Sequence, residues 1–183
     1  AARVLGQKLA ESLGQQIVVE NRTGSNGNIA ADLVAKSPAD GYTLLLAQDS
    51  LITVNPHVYA KMPFDPLVDL VPVASVGSNQ YFLSVNPSLP VRNLNEFIEY
   101  ARRAKPPLAF ASGGNGSGSH LSLELLKARA GIDFIHVPYK GGTPASTATV
   151  AGETLATFAG ASSAGQIKAG RLRALAQTGA RRS

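Results

Sequence analysis

The 183-residue chain has no cysteine, no tryptophan, one methionine and few aromatic residues, 6% in all. Without cysteine there is no disulfide, no thiol nucleophile and no Cys-ligated zinc or iron–sulfur site. The compartment stays open, because cysteine-free proteins occur in oxidising and reducing places alike. No stretch approaches the roughly 18 to 20 uninterrupted apolar residues of a membrane span, and the longest candidate is Tyr42 to Ala47. A basic start, apolar core and small-residue cleavage site are also missing. Ala1 to Leu13 reads instead as an amphipathic helix already in progress, so either the protein is not exported or its start has been removed. The sparse aromatics are not interleaved with any basic run, which removes the stacking platform that nucleic-acid binding would use.

Apolar residues make up 44% of the chain and charged residues 16%, and the mean hydropathy is +0.04. That balance predicts a soluble globular protein, one ordinary domain or two small ones. The net charge of +5 is unevenly distributed. Residues 1–78 hold five basic and seven acidic side chains, net −2, whereas residues 79–183 hold twelve and five, net +7. Arg171, Arg173, Arg181 and Arg182 crowd the C-terminal end. This is either an ordinary solvated surface or a second half that attracts anions.

Strand-like and helix-like segments alternate, predicting an α/β protein with mostly parallel sheet. The first helix ends at Gly14. Gln16 to Glu20 reads as a β-branched strand, and Tyr42 to Ala47 as a buried central strand. Residues 49–76 are irregular and proline-punctuated. Further strands are expected at Tyr81 to Val85, Leu108 to Ala111, Phe134 to Val137, Leu155 to Phe158 and Leu172 to Ala176. Between them lie helices capped by Asn93, by Ser119 and near Pro144. Three Gly-rich turns, at Gly24 to Gly27, Gly113 to Ser119 and Gly141 to Thr143, each open a helix directly after a strand. Turns of this kind gather at the carboxyl ends of the strands and present free N–H groups at positive helix ends, which suit a carboxylate or phosphate.

Other chemistry is poorly supported. No Gly-x-Gly-x-x-Gly is completed, and at Gly165 and Gly170 the P-loop spacing is followed by Arg171-Leu172 in place of Lys and Ser/Thr. A nucleophile elbow fails at Ser117, where Asn115 and Ser119 occupy the glycine positions. The histidines His57, His120 and His136 include no pair at metal-ligand spacing. His120 with Glu124 reads as a helical surface pair, and His136 as a satisfied strand histidine. No metal and no cofactor is implied.

The stretches Val19 to Gly27 and Ala35 to Leu45 are distinctive. So are Asn55-Pro56, Val85 to Val91, Gly116-Ser117-Gly118-Ser119-His120-Leu121, His136 to Ala145 and Lys168 to Ala176. Together, in order and over essentially the whole chain, they resemble the substrate-binding receptors of tripartite tricarboxylate transporters, the TctC/Bug family. The resemblance implies a type II periplasmic-binding-protein-like fold of two α/β lobes. Such a receptor closes on a small carboxylate (di- or tricarboxylate, amino acid or aromatic acid) in the periplasm and delivers it to membrane permease subunits, without enzyme activity. It also implies lobe crossings near Tyr81 to Val85 and Arg173 to Thr178. Residues 1–78 would then be part of the first lobe, 79–176 the second, and 177–183 the start of the return.

Transferred onto this sequence, the pocket is expected to be lined by Gln48, Asp49 and Ser50, by Ser112, by Gly116, Ser117, Gly118, Ser119 and His120, and by Tyr139, Gly141, Gly142, Pro144 and Ala145. Amides of Gly118, Ser119 and Gly142 would hold carboxylate oxygens, the hydroxyls of Ser117 and Ser119 would add donors, and Tyr139 would form a wall. Asp49 stands where the family commonly has a small neutral residue. It either reads a ligand amine or is solvated at the rim. The chain begins inside the helix that should follow the family's first strand and Pro-Gly-Gly turn, and stops after the return crossing. An incomplete first lobe with self-association is therefore expected. The alternatives are an inactive receptor fragment and a serine-hydrolase-like enzyme using Ser117 or Ser119 with His120.

Overall fold

The computed structural model describes residues 1–180, so Arg181 and Arg182 of the basic C-terminal group, and the end of the expected return segment, lie outside the described residues. The fold is mixed α/β. Among the described residues the strands are β1 (Phe82–Val85), β2 (Leu108–Ser112), β3 (Phe134–Pro138), β4 (Ala156–Ala159) and β5 (Arg173–Gln177), arranged in the order β3-β2-β4-β1-β5. Strand β2 runs parallel to β3 and β4, while β1 runs antiparallel to β4 and β5. Residues 82–85, 108–112, 134–138 and 173–177 fall within a residue or two of the strands expected from the sequence.

The helices are α1 (Ala2–Leu13), α2 (Asn28–Ala35), α3 (Ser50–Thr53), α4 (Asn55–Val58), α5 (Leu94–Arg103), α6 (Gly118–Ala130), α7 (Gly142–Ala151) and α8 (Ala164–Lys168). Helix α5 starts at a reciprocal cap. Asn93 Oδ1 accepts the Glu96 amide at 2.9 Å, and the Glu96 carboxylate accepts from the Asn93 side chain and the Arg92 amide at 2.6 and 2.7 Å. Four orphan donors of the first turn are thus reduced by local chemistry alone. Helix α6 departs from expectation. Its cap is Ser117, whose Oγ accepts the His120 amide, and Ser119 lies inside the first turn. The left-handed Gly116, φ 78°, completes the loop two residues earlier than the Ser119 cap would require.

The main core fills the α5 and α6 side of the sheet around a chain of rings. Phe97 stacks on Phe134 at 5.8 Å, Phe134 meets Phe110 edge-on at 5.2 Å, and Phe110 leans on Phe158 at 5.5 Å. A separate, smaller core of Ala31, Leu51 and Phe64 holds the first part of the chain.

Two strand expectations fail. Residues 16–20 and 42–47 lie outside every helix and join no ladder. Val18 is 83% exposed and Tyr42 92%, with Leu44 and Leu46 also exposed. The physical reason is that strand propensity needs a neighbouring strand to act on. Among the described residues these segments have none. Residues 17–19 instead lie along α1, where Gly6 approaches so closely that a Cβ there would stand 3.3 Å from the Ile17 methyl.

Candidate functional site

The three Gly-rich turns come together. A Cβ on Gly113 would stand 3.2 Å from the Gly142 amide nitrogen, so the turns after β2 and β3 touch backbone to backbone. A Cβ on Gly116 would meet Asn55 Oδ1 at 3.3 Å and Asn26 Nδ2 at 3.6 Å, which brings the first turn and the start of α4 against the second. Helix geometry leaves the first amides of α6 and α7 without intrahelical acceptors. In α6 the His120 amide is taken by Ser117 Oγ. The amides of Gly118 and Ser119, and those of Gly142 and Thr143 in α7, have no acceptor among the described residues.

The serines around this cluster are committed to its frame. Ser117 is only 5% exposed, and its Oγ lies 3.0 Å from Ser119 Oγ, which in turn accepts the Gly113 amide at 2.9 Å. Two hydroxyls sharing one bond leave one O–H proton free for a further acceptor. Ser112 is fully buried. Its Oγ accepts the Gly114 amide at 3.1 Å and lies 2.6 Å from His136 Nε2.

Of the remaining expected residues, Ser50 is buried and accepts from Asn26 Nδ2 at 3.2 Å, while the Asp49 carboxylate caps α3 through the Ser50 amide at 2.9 Å. Gln48 is exposed and contributes its carbonyl to the Leu51 amide. Tyr139 is half-buried with its hydroxyl 3.3 Å from Glu153, and Pro144 is exposed beside Gly141. Ala145 is buried against the body of the protein.

His120 and His136 form a unit that spacing alone did not reveal. Their rings stack at 4.0 Å with 8° between planes. His120 Nδ1 accepts the Gly116 amide at 3.2 Å, and its Nε2 lies 3.7 Å from Glu124. Burial lowers the pKa of both. His136 is pushed down to about 4 by burial and then by its neighbour His120; for His120, burial outweighs the opposing pull of Glu124. The ring of His120 is therefore engaged at Gly116 and Glu124. Its link to Ser117 runs through its backbone N–H and not its imidazole.

Several residues of the cluster were not among those expected to line the site. Asn55, fully buried, accepts from Asn26 Nδ2 at 2.8 Å and donates to Asn28 Oδ1 at 2.6 Å and to the Asn26 carbonyl at 3.2 Å. Asn26 itself sits in a left-handed conformation, φ 50°. Tyr59 donates to the Asn115 carbonyl at 3.0 Å. The Tyr81 ring covers Gly118 so closely that a Cβ there would lie 2.7 Å from its hydroxyl. Burial raises the Tyr81 pKa against a hydrogen bond from Asn79, and the Asp49 carboxylate adds to the rise, which puts Asp49 in the same neighbourhood.

The family profile of the tripartite tricarboxylate transporter family receptor matches residues 1–183. The chain belongs to this receptor family. Protein BugT of Bordetella pertussis is 40% identical over 177 residues, covering 96% of the chain and 54% of BugT. Among solved structures, R. palustris Rpa4515 with adipate superposes with a TM-score of 0.96 at 39% identity, covering 99% of the chain and 61% of that protein. MatC (Rpa3494) from Rhodopseudomonas palustris with bound malate gives 0.85 at 29% identity, covering 99% and 62%. The chain thus spans about half the length of the curated relatives it matches. The receptor fold is type II periplasmic-binding-protein-like, and the family's members are substrate-binding proteins. No helix among the described residues is long and apolar enough to cross a membrane.

Proposed function

We propose that the chain is the ligand-contacting portion of a periplasmic receptor that captures a small carboxylate and delivers it to the permease of a tripartite transporter, without catalysing a reaction. The observation that carries this reading is the convergence of unpaired amides from Gly118, Ser119, Gly142 and Thr143, drawn together where Gly113 meets Gly142. Oriented N–H groups at two helix starts stabilise a carboxylate without a bulky cation. Adipate bound to Rpa4515 and malate bound to MatC make a dicarboxylate the first ligand class to try. In this reading residues 79–176 form the ligand-facing lobe, residues 1–78 part of its partner lobe, and 177–183 the start of the return.

A serine hydrolase finds less support, because the His120 imidazole is held by Gly116 and is not paired with either serine. The test uses a chimera in which these 183 residues replace the matching segment of Rpa4515, titrated calorimetrically with adipate and malate beside the chain alone. Saturable binding without turnover is expected. Ser117→Asp keeps a competent helix cap but sets a negative charge beside the cradle, and should abolish binding. A folded chimera that binds no small carboxylate, or unchanged affinity in Ser117→Asp, overturns the assignment.

A further inference from the structure

We infer that His120 is a positioning residue for the anion cradle: in its neutral form Nδ1 holds the Gly116 amide, and proton uptake by the stacked His120–His136 pair releases Gly116 and loosens the loop from Gly116 to Ser119. The ligand consequence rests on the carboxylate reading above, whereas the coupling between histidine and loop stands on geometry alone. A backbone N–H can only donate, so the 3.2 Å contact from Gly116 requires an unprotonated Nδ1. Adding a proton there turns an acceptor into a donor facing a donor.

Nothing else in the described structure accepts the Gly116 amide. Gly116 is also the point where the second turn bears on Asn55 and Asn26, so its displacement is felt on both sides of the cluster. Behind His120, the His136 ring is anchored to buried Ser112 at 2.6 Å and cannot slide away freely. Two imidazolium rings stacked at 4.0 Å repel, so a positive charge on one ring disfavours a second on the other.

The groups acting on the pair are few. Helix α6 supplies Glu124, 3.7 Å from His120 Nε2, and Lys127, which is itself tied to Glu124 and to Asp133 at 3.4 and 3.2 Å. Strand β3 supplies His136 facing His120, and β2 contributes Ser112, which does not titrate. Glu124 favours the charged His120 and burial opposes it, with burial the larger effect. The pair is therefore neutral at pH 7 and protonates only under acid conditions. The added positive charge also attracts a carboxylate, but Glu124 already faces His120 and offsets that gain, so the lost positioning dominates.

The experiment is a titration of the isotopically labelled chain by NMR from about pH 8 to about pH 4, observing the Gly116 amide and the His120 ring, with and without adipate. The same titration is run on His120→Ala and on His120→Asn, whose Oδ1 stands near the place of Nδ1 but takes no proton. The Gly116 amide should shift with the same midpoint as the His120 ring. His120→Ala should lose the Gly116 signature at neutral pH, and His120→Asn should restore it without any acid step. In the chimera, adipate affinity should fall about tenfold across that midpoint, while His120→Asn binds more weakly than the parent but with a flat pH profile. A Gly116 amide that ignores the His120 titration, or an acid step that survives in His120→Asn, overturns the inference. If Gly116 and His120 titrate together while adipate binds at no pH, the positioning role holds and the carboxylate reading fails.

Discussion

Asn55 ties the first part of the chain to the cluster of glycine turns, and its replacement tests whether that tie is energetic or incidental. In Asn55→Ala, three hydrogen bonds disappear. Asn26 Nδ2 keeps Ser50 Oγ as a partner, so its loss is partial. Asn28 Oδ1, on a buried side chain, loses its only partner given by the structure, and the half-buried Asn26 carbonyl loses the Asn55 donor. Each orphaned buried acceptor costs about 1 to 3 kcal/mol, and the small cavity left in a fully buried site adds to this. The expected loss is about 3 to 5 kcal/mol, a large share of the typical 5 to 15 kcal/mol that holds a whole domain.

The core around Ala31, Leu51 and Phe64 is separate from the main one, so the loss should appear as local opening. Hydrogen exchange is the suitable assay. Amides of α2 should exchange faster by about two to three and a half powers of ten, while those of β2 and β4 hardly change. Asn55→Asp controls for volume. It fills the same space but cannot donate to Asn28 Oδ1 or to the Asn26 carbonyl, and it buries a charge. Protection in α2 within about 1 kcal/mol of the parent in Asn55→Asp would show that the hydrogen-bond reasoning is wrong.

Gly118→Ala drives a methyl to within 2.7 to 3.0 Å of the Tyr81 ring, so it should cost about 1 to 3 kcal/mol in urea denaturation. Most of that should return in the double variant with Tyr81→Ala, and strict additivity would count against the close approach. Phe110→Ala removes a fully buried ring that touches Phe134 and Phe158 and should cost about 3 to 5 kcal/mol; a loss below about 1 kcal/mol would refute the ring chain as the core. The folded-state pKa of His136 is depressed to about 4, so the unfolded chain binds the proton more readily. Stability should therefore be complete above about pH 6.5 and fall as the pH drops towards 4. His136→Asn should flatten that slope in thermal denaturation, and an unchanged slope would assign it elsewhere.

Most of the sheet between residues 82 and 177 was legible because its signals are local: Asn93 followed three residues later by Glu96, short β-branched and aromatic runs, and glycines where helices stop. The same local signals misjudged the α6 cap by two residues, since Ser117 and Ser119 are equally good caps in isolation and only the left-handed Gly116 decides between them. Residues 16–20 and 42–47 have strand composition, yet a strand is a pairing, and composition does not supply the partner. At the site, the glycine turns could be read as amide-presenting loops. Asn26, Asn28, Asn55 and Tyr81 could not, because their meaning lies in contacts across 27 to 29 residues, or, for Tyr81, across the 37 residues to Gly118. The stacked histidines, 16 residues apart, escaped for the same reason.

The meeting of the turns follows from the topology. Strands β2 and β3 are parallel neighbours in register from Leu108 with Phe134 to Ser112 with Pro138, so both end at the same edge. The Tyr139 amide then bonds the Ser112 carbonyl at 2.9 Å, carrying the pairing one step past the strands. Each strand leads directly into a glycine turn and a helix. Parallel pairing thus makes two helix starts converge without any side chain directing them, and the absence of a side chain at Gly113 lets the two turns approach, since a Cβ there would crowd the Gly142 amide nitrogen at 3.2 Å. The Gly24 to Gly27 turn comes from outside this sheet and has no such ladder to align it. A buried amide, Asn55, does that work instead, which is why one polar side chain matters there as much as a whole strand does on the other side.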